Sequence, residues 1–281
     1  MKKHIFFFLG AISCYSTIYA QGEIDIQQRV FYRNEWSIAP MINSNGFGLN
    51  YRIGIHVDAA NKRLFEADFA YFRDPKEQRS FVDFRLQSNA RYVEGKKNLP
   101  FNFRVGYGRQ HERFRKHDVG GVAVRTFYNF GASLMLLKPI YYEIGQIVPI
   151  PGTDRGYWEA FPAAKYDPMW RANNVIIRER ASFFRGFSEI RVVPGAFAKY
   201  GFNFEFGAQD RVIHALEVGL IGEAFLRRID IMDFSNPNAG QSRVAQNRQF
   251  FLTVFLSYRF GRIVDPLEVR QRRERSREIS Y

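Results

Sequence analysis

Two groups of residues in this chain have types and spacing suited to chemistry. The first is a set of charged side chains at alternate positions inside otherwise apolar segments. It comprises Glu35, Glu66, Asp68, Glu205, Glu217 and Glu223 against Arg52, Arg104, Arg125, Lys199 and Arg259. The signs nearly cancel. Opposite charges confined to one space pair, because an unpaired buried charge costs far more than a paired one. A selective channel would instead show a ring of one sign. The expectation is a salt-bridged, solid interior.

The second group could supply nucleophiles and bases. Beyond His4 the histidines are His56, His111, His117 and His214. The topology developed below puts all four at the end of the molecule opposite the one where an outer-leaflet lipid hydrolase would act. Ser37 and Ser133 take inward positions with no histidine at their level, which argues against acyl transfer. His111 and His117 could share a metal with Glu112 or Asp118, but this spacing is common in charged turns and no metal site is assigned. Phosphate-loop, His-Glu-x-x-His and nucleophile-elbow motifs do not occur. The expectation is a non-enzymatic chain with no cofactor and no metal.

The elements that position these groups follow from a period of two. In the last segment, Gln249 to Phe260, the residues Phe250, Leu252, Val254, Leu256, Tyr258 and Phe260 share one face, and Thr253, Ser257 and Arg259 the other. Earlier segments repeat the pattern. Near Glu35 to Ile42, Trp36, Ile38 and Ile42 oppose Glu35, Ser37 and Ala39, with Pro40 expected to mark a bulge. Phe47 to Val57 sets aromatic and aliphatic residues against Asn50, Arg52 and His56. Phe65, Ala67, Phe69 and Tyr71 alternate with Glu66 and Asp68, and Phe101, Phe103, Val105 and Tyr107 with Asn102 and Arg104. Val122 to Leu136 places Arg125, Asn129 and Ser133 inward. Tyr200, Phe202, Phe204 and Phe206 oppose Lys199, Asn203 and Glu205; Leu216, Val218, Leu220, Ala224 and Leu226 oppose Glu217 and Glu223. The predicted fold is all-β, an eight-stranded antiparallel transmembrane β-barrel with apolar residues toward lipid and charges inward. A soluble barrel or sandwich is the competing reading, and rows such as Tyr200-Phe202-Phe204-Phe206 would be difficult to cover in one.

The start of the chain supports export. Lys2 and Lys3 precede the apolar run Ile5 to Ile12, and Ile18-Tyr19-Ala20 offers a cleavage site, so residues 1–20 read as a signal peptide. A lipoprotein site at Cys14, the only cysteine, fits less well than cleavage after Ala20. Residues 21–34 form a periplasmic segment, 35–260 the barrel, and 261–281 a charged periplasmic tail that could touch a partner. The net charge of +13 is scattered rather than blocked, which argues against nucleic acid. Connections after the second, fourth and sixth strands are short or moderate, and those after the third, fifth and seventh are long. That asymmetry puts the long loops outside the cell.

The longest break, residues 138–194, is too aromatic to be disordered and too long to be a plain connection. It reads as a folded extracellular cap. Its candidate binding residues are Trp158, Trp170, Arg178, Arg180 and Arg185, suited to a protein interface or to lipopolysaccharide phosphates. Asn34-Glu35-Trp36-Ser37, Gly106-Tyr107-Gly108-Arg109-Gln110 and Leu137-Lys138-Pro139 resemble segments of a group of Bacteroidota outer-membrane β-barrel proteins. More distantly, the plan is similar to small eight-stranded barrels of the OmpX and OmpW type. The resemblance implies an outer-membrane location and carries over no catalytic residue. The functional expectation is an accessory or binding subunit in contact with outer-membrane lipid and lipopolysaccharide and with an outer-membrane or periplasmic protein partner, with a narrow pore for small solutes or a lipid-modifying enzyme as alternatives.

Overall fold

The computed structural model describes residues 34–74, 77, 79–81, 91–115, 121–153, 156–170, 172–206, 212–235, 242–243 and 248–264. The expected signal peptide, residues 21–33, His117, Asp118 and the tail beyond Val264 lie outside these residues.

The chain opens with β1 (Asn34–Asn43), β2 (Gly46–His56) and β3 (Asn61–Phe72). The next connection holds two short strands, β4 (Arg79–Phe81) and β5 (Arg91–Val93). Then come β6 (Asn98–Phe114) and β7 (Ala123–Pro139). The cap contains β8 (Tyr141–Pro149), β9 (Gly156–Lys165) and β10 (Ile176–Arg180). The chain returns through β11 (Arg191–Phe206) and β12 (Val212–Ile229), the two-residue strands β13 (Phe234–Ser235) and β14 (Ser242–Arg243), and β15 (Arg248–Val264).

Eight of these strands close into an antiparallel barrel in the order β1-β2-β3-β6-β7-β11-β12-β15, with β15 pairing back onto β1. Closure removes every sheet edge. Alternation decides the two faces: Leu49, Phe69, Val105, Phe130, Tyr200, Leu220 and Val254 are exposed, whereas Asn50, Asp68, Arg104, Asn129, Lys199 and Thr253 are buried. Apolar outside and charged inside is the wall of a transmembrane barrel.

The interior is less purely polar than the alternation suggested. Met41, Leu64, Phe127, Phe197, Ile221 and Phe255 form a buried cluster within it. The lumen of an eight-stranded barrel is just wide enough for side chains, so large rings need room opposite. Glycines provide it. A Cβ on Gly106 would lie 2.7 Å from the Phe197 ring, and one on Gly219 would lie 2.9 Å from the Phe255 ring. At the end with the long connections, Phe72, Leu137, Val193, Phe225, Ile229 and Met232 form a second apolar cluster.

Several boundaries differ from the sequence reading, each for a local reason. The cap is bounded by Pro139 and Arg191, so the 138–194 segment gives up residues to β7 and β11. Pro194 had hidden the start of β11. It pairs with Leu134 on β7, but β12 pairing begins only at Gly195, so its missing N–H costs no bond on that side. Pro40 makes no bulge: Ile38–Phe260 and Met41–Ser257 keep one register, and the β1–β15 ladder merely lapses between them. β6 runs through His111 to Phe114, and β15 continues past Phe260 to Val264, where it pairs with Asn34. β3 begins before the alternation of Phe65 to Tyr71 and takes in Lys62, whose side chain is buried.

The cap sheet has the order β10-β8-β9. Its core joins Ile140, Tyr142, Ile144 and Ile177 to Leu99 of the barrel, flanked by Phe161, Tyr166 and Trp170. Main-chain bonds tie three long connections together. Lys97 N–H donates to Ile231 O at 2.9 Å, Asp233 N–H to Gly95 O at 2.7 Å, and Ile140 N–H to Lys97 O at 2.9 Å.

Candidate functional site

Most of the inward charges meet in one network. Glu217 on β12 is its hub. Arg259 Nε donates to Glu217 Oε1 at 2.9 Å and Nη2 to Oε2 at 2.9 Å, while Arg52 Nη1 reaches Oε1 at 2.5 Å. Arg52 Nε continues to Glu66 Oε1 at 2.6 Å. Lys199 Nζ joins Glu66 Oε2 at 2.9 Å and Asp68 Oδ2 at 3.6 Å. Arg104 then links Asp68 at 3.2 Å to Glu223 at 2.9 Å. Neutral side chains add further bonds: Asn203 and Ser257 donate to Glu217, and Asn102 and Ser133 to Glu223 Oε1. Ring faces take up some of the cationic surface, with the Arg52 guanidinium 4.5 Å from the Phe127 ring centre and Lys199 Nζ 4.9 Å from that of Phe255.

Two pairs lie apart from this network, toward the short-turn end. Glu35 meets Lys62, at 2.6 Å, and Arg125 meets Glu205. Lys62 had been missed because it adjoins a turn whose residues are polar for other reasons. Asp58 there accepts from the backbone N–H of Ala60 and Asn61, and from the Asn61 amide. These bonds, the Asn61 side chain first, hold the Asp58 carboxyl below its usual range.

The histidines and serines are placed apart. His111 Nδ1 lies 2.9 Å from Asn61 Oδ1, and His214 Nδ1 lies 2.9 Å from the Tyr258 hydroxyl, both at the short-turn end. Ser133 Oγ is bound to Asn102 and Glu223, and Ser37 Oγ accepts from Arg259. No cluster of three His, Cys, Asp or Glu side chains suited to a metal occurs among the described residues.

At the opposite end, a cavity of about 820 Å³ lies between the β1–β2 turn, the connection around residues 73–97 and the cap. Its wall is mixed. Tyr71, Tyr92 and Tyr142 present rings, and Arg73, Glu77, Lys96 and Arg180 present charges. Lys96 and Glu77 form a buried ion pair at 2.6 Å, and Lys96 Nζ also donates to the Tyr71 hydroxyl at 2.9 Å. Tyr142 donates to Lys96 O at 2.8 Å and Val93 O at 3.1 Å, and burial pushes its phenol well above the ordinary value. Asn43 also lines the cavity. It is 7% exposed, and neither atom of its amide has a hydrogen-bond partner among the described residues. A buried amide without a partner is costly, so one facing a cavity is a natural point of ligand attachment.

Of the cap residues singled out in the sequence, Arg180 lines this cavity. Trp170 instead packs edge-on to Tyr142 and Tyr166, at 6.2 and 5.6 Å, as part of the cap core. Trp158 is half-buried across β8, where a Cβ on Gly145 would come 2.5 Å from its ring. Arg178 is exposed, and Arg185 is exposed with its guanidinium 5.1 Å from the Tyr141 ring centre. Sequence reasoning missed Asn43, Arg73, Glu77 and Lys96. Asn43 ends β1 and the other three lie in the connection between β3 and β6, and only the closed barrel brings the two together.

No family model and no curated protein sequence matches the chain. Among solved structures, the crystal structure of Neisserial surface protein A (NspA) aligns at 8% identity and a TM-score of 0.35, covering 82% of this chain and 96% of that one. The strand register, rather than this likeness, establishes the barrel.

Proposed function

We propose that this chain is a non-enzymatic outer-membrane barrel that serves as a binding component, taking its ligand or partner at the end carrying the long connections, outside the cell. The observation that carries this reading is a lumen filled by paired charges and apolar clusters beneath a roofed cavity. Transport would need a continuous polar path, and the buried apolar cluster of Phe72 and Met232 argues against one. Acyl transfer would need a base beside a nucleophile; Ser44 lines the cavity, and no histidine does so among the described residues. The exposed apolar wall supports insertion in a bilayer, and the expected export signal supports delivery to the outer membrane. The segments that resemble Bacteroidota barrels lie on β1, β6 and β7.

Planar-bilayer recording of the purified full-length chain tests the closed lumen. The expected trace shows no discrete conductance steps. Reproducible steps that vanish on Glu217→Ala or Arg104→Ala would overturn the reading in favour of a pore.

A further inference from the structure

A second recess, of about 530 Å³, lies on the outer wall rather than in the mouth. Phe47, Leu49, Phe69 and Phe101 floor it, and Arg180 and Phe183 of the cap overhang it. Phe47, Leu49 and Phe69 are exposed members of the wall's apolar belt, so the recess is continuous with the surface that faces lipid on the reading above. Arg180 is the charged group at its edge, with the guanidinium 5.9 Å from the Phe183 ring centre. It also lines the mouth cavity, so the two recesses meet at this side chain.

The adjoining turn has the same amphiphilic character. Phe183, Phe184 and Phe187 are exposed and touch one another. Beneath them Lys138 is buried, its Nζ donating to Arg185 O at 2.9 Å and lying 4.9 and 5.2 Å from the Phe183 and Phe187 ring centres. No carboxylate ion pair to Lys138, Arg180 or Arg185 occurs among the described residues, whereas nearby Glu189 is engaged by Lys165 and Tyr141. This rim therefore offers positive charge and aromatic rings at one level, the pattern of a protein surface at a membrane–water interface.

We infer that the recess holds an acyl chain of a phosphorylated outer-leaflet glycolipid of the lipid A type, with its phosphate on Arg180. This rests on the outer-membrane reading. A soluble anion would have no use for the aromatic trough, and an uncharged lipid none for the guanidinium. Arg is suited to the head because its planar donors match phosphate oxygens.

The test places the full-length protein in phosphatidylethanolamine nanodiscs containing lipid A, or lipid A stripped of its phosphates. Lipid retained on the protein is then counted by native mass spectrometry after release into mild detergent. Intact lipid A should be retained, with the dephosphorylated form and the R180Q variant both lower by roughly fivefold to tenfold, the size expected of one Arg–phosphate contact. F183A should lower retention of both lipids. R63Q, at an exposed arginine beside the short β2–β3 turn, should match wild type. Equal retention by R180Q, equal retention of the two lipids, or no retained lipid A would each overturn the assignment. Heat-modifiability of the same samples separates the two levels. A chain that never inserts as a barrel sinks the outer-membrane reading and this one with it; a properly inserted barrel indifferent to Arg180 sinks only this one.

Discussion

The lumen and the cap use the same kinds of side chain in opposite ways. Inside the barrel, Arg52, Arg104, Lys199 and Arg259 are buried, and each is bound to a carboxylate. In the cap, Arg178, Arg180 and Arg185 are exposed, and the contacts of Arg180 and Arg185 are ring faces. Burial makes the difference. Where water is excluded, a charge must be matched within the protein; at the rim it can remain available for something that arrives later. The cations of the lumen are thus matched by carboxylates, and those of the cap's edge are not, among the described residues.

The sharpest way to break this contrast is to remove the hub. Glu217→Ala leaves Arg52 and Arg259 without their shared carboxylate and should cost about 3–5 kcal/mol, read as a lower urea midpoint of the barrel in detergent. A loss no larger than that of an exposed substitution such as Arg178→Ala would mean that the lumen is hydrated and its charges screened. Next in size is the wall. Leu220 is 47% exposed at the middle of β12, and Leu220→Arg should cost about 2–4 kcal/mol if it faces the bilayer midplane, seen as reduced membrane insertion. Normal insertion would favour a soluble barrel.

A smaller effect belongs to the roof. Tyr142→Phe removes the hydroxyl shared by Lys96 O and Val93 O, at about 1 kcal/mol. Hydrogen exchange should quicken across residues 93–98 while the barrel strands stay protected. If the strands quicken equally, cap and barrel are one cooperative unit.

The smallest effect is a pH response at the cap's edge. Glu189 accepts from Lys165 and Tyr141, and the Lys165 bond, followed by that of Tyr141, holds its carboxyl below the usual range. The same Glu189 contact raises the Lys165 ammonium. A depressed carboxyl contributes stability above its unfolded value and loses it as pH falls through its folded one. A raised ammonium contributes below its unfolded value and loses it as pH rises through its folded one. The Phe187–Glu189 turn should therefore be most protected from exchange between the two ranges and loosen at both extremes. Glu189→Gln should flatten the acid side. An unchanged acid limb in that variant would assign the loosening to other groups.

The wall was legible in the sequence because a period of two repeats over strands long enough to show it. Every charged residue assigned inward from that pattern lies on the inner side, although Arg125 and Glu205 are only half-buried. The apolar filling was not legible. Phe127, Phe197 and Phe255 point inward from strands whose outer faces are equally aromatic, so composition does not distinguish the sides, and the glycines that admit the rings lie on other strands. The cap sheet was hidden for a different reason. Its strands are short, interrupted by Pro149, Pro151 and Pro162, and they bury side chains against residues of β3, β5 and β6 rather than one continuous face. The mouth cavity escaped for the same cause, since Asn43, Lys96 and Arg180 are far apart in the chain.

The main-chain bonds that join residues 95–97 to 231–233 and to Ile140 bear on how this surface can change over time. A junction made of backbone amides and carbonyls does not depend on which side chains it carries, apart from Gly95, whose φ of 79° favours glycine. The outer residues of the cap can therefore be replaced one after another while the roof keeps its shape. A protein built this way can change the side chains it presents and still hold the same chamber underneath.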